Sequence, residues 1–64
     1  MDRESNRKIA FAAIGLVFGR LNQDMDATYK WFRSVNQRLG VQPAQLIELG
    51  QSQIVVDYLM SGGQ

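Results

Sequence analysis

The side chains that most often carry enzyme chemistry are nearly absent from this sequence. Its 64 residues include no histidine and no cysteine, which removes the thiol nucleophile, the commonest general base near neutral pH and most zinc ligands. Six carboxylates remain, scattered along the chain: Asp2, Glu4, Asp24, Asp26, Glu48 and Asp57. We therefore expect a protein that is not an enzyme, holds no cofactor and no metal, and acts through its surface.

A second chemical pattern lies in the middle of the chain. Three aromatic residues fall within four positions, and basic residues are interleaved with them: Tyr29, Trp31 and Phe32, with Lys30, Arg33 and Arg38. Such a pattern could form a stacking platform for single-stranded nucleic acid. Since a domain with only six aromatic residues can hardly leave three of them in water, we expect these aromatics to pack in the core.

The sequence predicts that the elements carrying these residues are helices. Apolar residues recur at helical spacing, which predicts an all-α fold, a compact bundle of about four short helices. A polar N-terminal segment, residues 1–8, contains the candidate caps Ser5 and Asn6. A helical domain, residues 9–61, follows, and its first helix runs from about Ile9 to Leu21. We expect residues 62–64 to fray.

Three further helices are predicted by their start and stop signals. Asp24 or Asp26 caps the second helix. Pro43 starts a short third helix over 43–49, because its fixed φ suits the first helical position, and Gly50 ends it. Gln51 or Ser52 starts the fourth. The second helix is expected to point Tyr29, Trp31, Phe32 and Val35 inward. The predicted core consists of Phe18, Trp31, Phe32, Leu39, Pro43, Leu46 and Ile47.

Net charge and hydropathy suggest neither a membrane nor a nucleic-acid partner. The formal charge is +1, so binding to phosphate backbones through this chain alone is not expected. The apolar run from Ile9 to Gly19 is about half of the roughly 20 residues that cross a bilayer, and no cleavage pattern follows it. We expect a cytoplasmic protein. Gly15 and Gly19 form a G-x-x-x-G pattern, which favours close helix contact within the chain or in a homodimer.

The order of these residues resembles the toxin-binding domain at the C-terminus of Xre/MbcA/ParS-type antitoxins, over roughly residues 9–60. The elements that carry the resemblance are Phe18-Gly19, Asp24, Asp26 and Ala27, Trp31-Phe32, Asn36, Leu39-Gly40, Pro43, Leu46-Ile47, Gly50, Val55 or Val56, and Leu59. The resemblance implies a small, non-enzymatic helical domain that often dimerises and masks a cognate toxin, commonly a RES-type enzyme acting on NAD.

Departures from that family concern both ends of the chain and the segment between Asn36 and Pro43, which looks one residue shorter than the commoner form. Family members usually carry a DNA-binding helix-turn-helix domain first, for which residues 1–8 leave no room. The family's last helix often ends in an Arg-containing segment, whereas Met60 is followed here by Ser61, Gly62 and Gly63. On this interpretation Tyr58, Leu59 and Met60 are the partner-binding residues.

Two alternatives stay open from the sequence. The stretch 37–50 superficially resembles a helix-turn-helix DNA-binding motif, although its would-be recognition helix offers Gln45 and Glu48 and no cation. A structural domain that self-associates through Gly15 and Gly19 is the other alternative.

Overall fold

The computed structural model of the chain describes residues 2–63, which form four helices and no strand. The helices are α1 (Arg3–Arg20), α2 (Met25–Arg33), α3 (Pro43–Glu48) and α4 (Ser52–Met60). This confirms the predicted all-α fold. The starts predicted at Pro43 and at Gln51 or Ser52 are also right, and Gly50 follows α3 with a φ of 78°, as a helix stop requires.

The first helix begins at Arg3, well before the predicted start at Ile9. Residues 3–8 of the predicted polar segment are therefore the first turns of α1 and do not form a separate segment. The cap is Asp2, whose carboxylate accepts hydrogen bonds from the Ser5 backbone N–H at 2.8 Å and from the Ser5 hydroxyl at 3.0 Å. The predicted caps Ser5 and Asn6 lie inside the helix. Met1 lies outside the described residues.

This cap should make the start of α1 sensitive to acid. The Ser5 backbone N–H, and then its hydroxyl, lower the pKa of the Asp2 carboxyl below its ordinary 3.8. A lowered pKa means that the cap contributes fully above the unfolded value and is lost as pH falls through the folded one. We expect the protection of the Ser5 and Asn6 amides against hydrogen exchange, relative to the intrinsic rate at each pH, to fall in the wild type as pH drops below about 4. It should change less in Asp2→Asn, which caps without titrating; equal acid sensitivity in both proteins would contradict the cap.

The core is built where α1 meets α4. Ala10, Ala13 and Val17 are buried on α1, and Ser52, Val55 and Leu59 are buried on α4, so the two buried stripes share the spacing i, i+3, i+7. The small side chains on α1 let the two helices approach closely. Phe32 of α2 completes the buried cluster.

The predicted core is only partly right. Phe32 and Pro43 are buried, whereas Trp31, Leu46 and Ile47 are half-buried and pack against the cluster from outside. Phe18 and Leu39 are half-buried and do not belong to it. The prediction placed the core across the turn before α3, but the contact between α1 and α4 supplies its centre.

The second helix begins as predicted and ends earlier. Asp24 caps it by accepting a hydrogen bond from the Ala27 N–H at 3.0 Å. Its side chains Trp31 and Phe32 point inward, but Tyr29 is 66 % exposed and Val35, beyond the helix end at Arg33, is 65 % exposed. The inward placement of Tyr29 and Val35 was therefore wrong.

Asn6 joins three helices. Its Nδ2 donates to the Ile47 carbonyl at 3.0 Å, near the end of α3, and its Oδ1 accepts from the Ser52 N–H at 3.0 Å, at the start of α4. A carbonyl at a helix end and an N–H at a helix start have no partner within their own helices. The Asn6 side chain therefore gives the Ser52 N–H its partner and is a second donor to the Ile47 carbonyl, which also accepts from the Gly50 N–H at 3.0 Å. It ties the corner between α3 and α4 to α1.

The predicted fraying of residues 62–64 was wrong for Gly62 and Gly63; Gln64 lies outside the described residues. The Gly63 N–H donates to the Tyr58 carbonyl at 2.8 Å and the Gly62 N–H to the Leu59 carbonyl at 3.3 Å, around a Gly62 φ of 90°. These bonds form a Schellman helix end. Arg20 then donates from its two terminal nitrogens to the carbonyls of Gly63 and Leu59, both at 2.8 Å.

Candidate protein-binding surface

Seven large apolar side chains are exposed among the described residues. They are Phe11, Met25, Tyr29, Val35, Leu49, Ile54 and Met60. Single exposed apolar residues are common on soluble proteins, and only a group of them indicates a binding surface. Met25 and Tyr29 form such a group, because both line one groove.

This groove, which we call the α2 groove, lies between α1, α2 and α3 and has a volume of about 300 Å³. Its apolar lining comes from Ile14 on α1, from Met25, Tyr29 and Phe32 on α2, and from Ala44 and Ile47 on α3. Phe32 is buried at its floor, while Met25 and Tyr29 are 63 % and 66 % exposed at its edge. The groove therefore offers a large apolar area to an outside molecule.

Helical spacing explains why these side chains meet. Met25 and Tyr29 are four residues apart on α2, and Ala44 and Ile47 are three apart on α3, so each pair lies on one face of its helix. Pro43 fixes the start of α3 and with it the direction of that face. The spacing of Met25 and Tyr29 is visible in the sequence, but the prediction did not include Met25 and assigned Tyr29 to the core.

Few polar groups face the α2 groove. The Thr28 hydroxyl is buried and already donates to the Asp24 carbonyl at 2.7 Å. At the rim, Arg33 and Glu48 form an ion pair at 3.5 Å, with their side chains 50 % and 67 % exposed. Such an exposed pair contributes little to stability, so both charges remain able to contact a partner.

A second cavity, of about 590 Å³, opens where α1, α2 and the end of α4 meet. Trp31 lines it together with Val17, Leu21 and Leu59, and its polar wall is Arg20 with Gly62 and Gly63. Since the guanidinium of Arg20 is committed to two backbone carbonyls, this cavity lacks a charged group free to bind a ligand among its lining residues.

The predicted partner-binding residues do not form one surface. Leu59 is 1 % exposed in the core, so its side chain cannot contact a partner, and that part of the prediction is wrong. Tyr58 is half-buried; Asn36 Nδ2 donates to its hydroxyl oxygen at 3.4 Å, and Gly63 packs so tightly that an added Cβ would lie 2.5 Å from its ring. Met60 alone of the three is open, at 69 % exposure.

Gly15 and Gly19 lie on the outer side of α1. Both are exposed, and no other side chain of the described residues comes within 4 Å of a Cβ built on either. The close helix contact that their spacing favours is therefore not made with another helix of residues 2–63.

The aromatic residues 29–32 do not form a continuous stacking platform. Tyr29 lines the α2 groove, Phe32 is 7 % exposed at its floor, and Trp31 faces the second cavity. The Trp31 and Phe32 rings meet edge to face at 4.9 Å. The would-be recognition helix α3 carries the acid Glu48 and no cation that could contact a phosphate.

Comparisons with family models, with curated proteins and with solved structures found no significant match for this chain. Among residues 2–63, no cluster of three acidic, histidine or cysteine residues could hold a metal ion. No helix in that part of the chain combines the length and apolar character needed to cross a membrane.

Proposed function

We propose that this chain is a non-enzymatic, cytoplasmic protein-binding module that neutralises a cognate toxin, a RES-type enzyme consuming NAD, by masking it. The observation that carries the binding role is the α2 groove, with Met25 and Tyr29 exposed at its edge. The nature of the partner rests on the resemblance of residues 9–60 to antitoxin toxin-binding domains.

The α2 groove suits apolar side chains of a protein better than a small molecule. Small-molecule sites combine apolar walls with a few placed polar groups that fix orientation. Here the one buried hydroxyl, on Thr28, is already used, and the charges of Arg33 and Glu48 stand at the rim. That arrangement fits a partner helix that inserts apolar side chains and meets the rim pair with one acid and one base.

Tyrosine and methionine are suited to this role for different reasons. Tyr29 offers a large rigid ring with a polar tip, a combination enriched among the residues that dominate binding energies. Met25 is flexible and polarizable, so it adapts to the shape of a partner. We therefore assign the principal contact to Tyr29, with Met25 beside it, in place of the α4 residues expected from the sequence.

A charge placed at Tyr29 tests the assignment. Affinity capture from a lysate of the source organism is run with the wild type, Tyr29→Glu and the control Leu49→Glu, which charges an equally exposed apolar position outside the groove. We expect one protein on the wild type and the control and at least a tenfold loss on Tyr29→Glu. That protein should consume NAD when free and stop when the chain is added.

The outcomes test the binding surface and the identity of the partner separately. Equal capture by Tyr29→Glu and the wild type would contradict the α2 groove as the binding surface. A partner that depends on Tyr29 and does not consume NAD would keep the binding role and refute the toxin assignment.

A further inference from the structure

The second cavity, beside Trp31, has the size and the walls of a small-molecule site. Its volume of about 590 Å³ falls within the roughly 300–1,000 Å³ of pockets that hold such ligands. Its apolar walls come from Val17 on α1, Trp31 on α2 and Leu59 on α4, with Leu21 directly after α1. Val17 and Leu59 are 2 % and 1 % exposed. They belong to the packed core, so this part of the cavity is in place before a ligand arrives.

The charge in the cavity wall limits the kind of ligand. Arg20 is the one charged residue among the described lining residues, and its terminal nitrogens already donate to the Gly63 and Leu59 carbonyls. A cation would be repelled by the guanidinium. An anion would give up its water and then compete with the two carbonyls for the same donors. The cavity therefore favours an uncharged ligand.

We propose that the second cavity binds a small uncharged ring compound that stacks on the indole of Trp31. This indole is half-buried, and its edge-to-face contact with Phe32, with ring centroids 4.9 Å apart, holds its orientation. A flat ring gains from offset stacking or edge-to-face contact with another aromatic ring. Val17 and Leu59 add apolar contact on the core side, where a ligand ring leaves water.

The proposed ligand site is separate from the α2 groove. The residues that line the two have no member in common. Trp31 and Tyr29 are two positions apart on α2, and a rotation of about 100° per residue places them on nearly opposite sides of the helix. A protein bound at the α2 groove would leave the second cavity open. Failure of the toxin proposal would therefore not affect this one.

Benzyl alcohol is a suitable probe, because it combines one aromatic ring with no charge. In an NMR titration of the isotope-labelled chain, we expect shifts of the Trp31 indole N–H and of the Gly62 and Gly63 amides, and none at Tyr29. The expected dissociation constant is about 1 mM, as suits a ligand of this size. Nuclear Overhauser contacts should join the probe ring to the Trp31 indole. Benzoate and benzylammonium, which add a charge to the same ring, should bind roughly tenfold more weakly.

Trp31→Leu is the variant that removes the stacking surface, and Tyr29→Leu is its matched control. Both replace an aromatic residue of α2 by the same side chain, but only Trp31 lines the second cavity. We expect Trp31→Leu to weaken benzyl alcohol binding roughly tenfold, through lost stacking and lost contact area, and Tyr29→Leu to bind like the wild type. The amide spectrum checks that each variant is folded. If Trp31→Leu does not fold, the Overhauser contacts in the wild type decide.

Three results would overturn the proposal. The first is an unchanged Trp31 indole signal at benzyl alcohol concentrations far above the expected dissociation constant. The second is a set of shifts confined to Ala27 and Ser34, which would place the probe in a neighbouring hollow of about 400 Å³ that Trp31 also lines. The third is binding of benzoate or benzylammonium as tight as that of benzyl alcohol, which would refute the assignment to an uncharged ligand.

Discussion

Replacing Asn6 by leucine is expected to lower the free energy of unfolding by about 2 kcal/mol, because the Ser52 N–H loses its partner and the Ile47 carbonyl keeps only the hydrogen bond from the Gly50 N–H. The Ile47 carbonyl and the Ser52 N–H each bond to this one side chain at 3.0 Å. Leucine matches asparagine closely in size and cannot donate or accept, so the loss reports the hydrogen bonds. In a domain this small the melting temperature should fall by roughly 8–16 °C.

The control for Asn6→Leu is Gln53→Leu. Both remove a side-chain amide, but Gln53 is exposed and its amide donates to the Asp57 carboxylate at 2.8 Å on the surface of α4. Its effect should stay within about 0.5 kcal/mol. If urea unfolding gives the two variants the same stability, Asn6 does not hold the corner between α3 and α4.

Replacing Arg20 by methionine is expected to lower the free energy of unfolding by about 2 kcal/mol and to release the end of α4. Hydrogen bonds from a charged donor are stronger than neutral ones, and the terminal nitrogens of Arg20 donate to the Leu59 carbonyl in the last turn of α4 and to the Gly63 carbonyl beyond it, both at 2.8 Å. A cation is also favoured at a helix C-terminus by the dipole. Methionine keeps the apolar length of the side chain and removes the donors.

Hydrogen exchange distinguishes the release of the end of α4 from the loss of global stability. Amides of residues 61–63 should exchange much faster in Arg20→Met, while those at the centre of α1 follow only the loss of global stability. Arg7→Met, an exposed arginine of the same helix, should leave residues 61–63 unchanged. Arg20→Lys should fall between, because an ammonium cannot reproduce the planar fork. Unchanged exchange in Arg20→Met would mean that the Schellman bonds alone hold this end.

Local signals in the sequence predicted most helix starts and stops. Pro43 fixes φ at the start of α3, Gly50 takes the positive φ that ends it, and Asp24 caps α2; each effect involves one or two residues and needs no knowledge of the fold. The predicted start of α1 was too late because several neighbouring residues can cap a helix. Asp2 is the actual cap, whereas the prediction chose Ser5 or Asn6.

Contacts between distant residues were beyond prediction. Asn6 bonds Ile47 and Ser52 across more than 40 positions, and Arg20 bonds Leu59 and Gly63 across about the same distance. No periodicity indicates which helix α1 meets, so the pairing of its buried stripe with that of α4 was missed. Once α4 takes that position, Leu59 is buried and leaves the predicted partner surface.

The α2 groove was missed for a related reason. On α2, apolar residues cover both the side that faces Val17 and Leu59 and the side that faces Ile47. Pattern alone cannot tell which side is covered within the chain and which stays open. The proposed binding role thus depends on a property that only the packed helices supply, the exposure of Met25 and Tyr29.

The most direct test of the binding role is an NMR map of the chain in complex with the protein that it captures. Cross-saturation from that protein onto the isotope-labelled chain reports which residues it touches. We predict that the transfer is strongest at Met25, Tyr29, Ala44 and Ile47 and weak at Met60 and Gly62. Transfer confined to the end of α4, with none at Tyr29, would contradict the account and return the contact to the residues that the sequence first suggested.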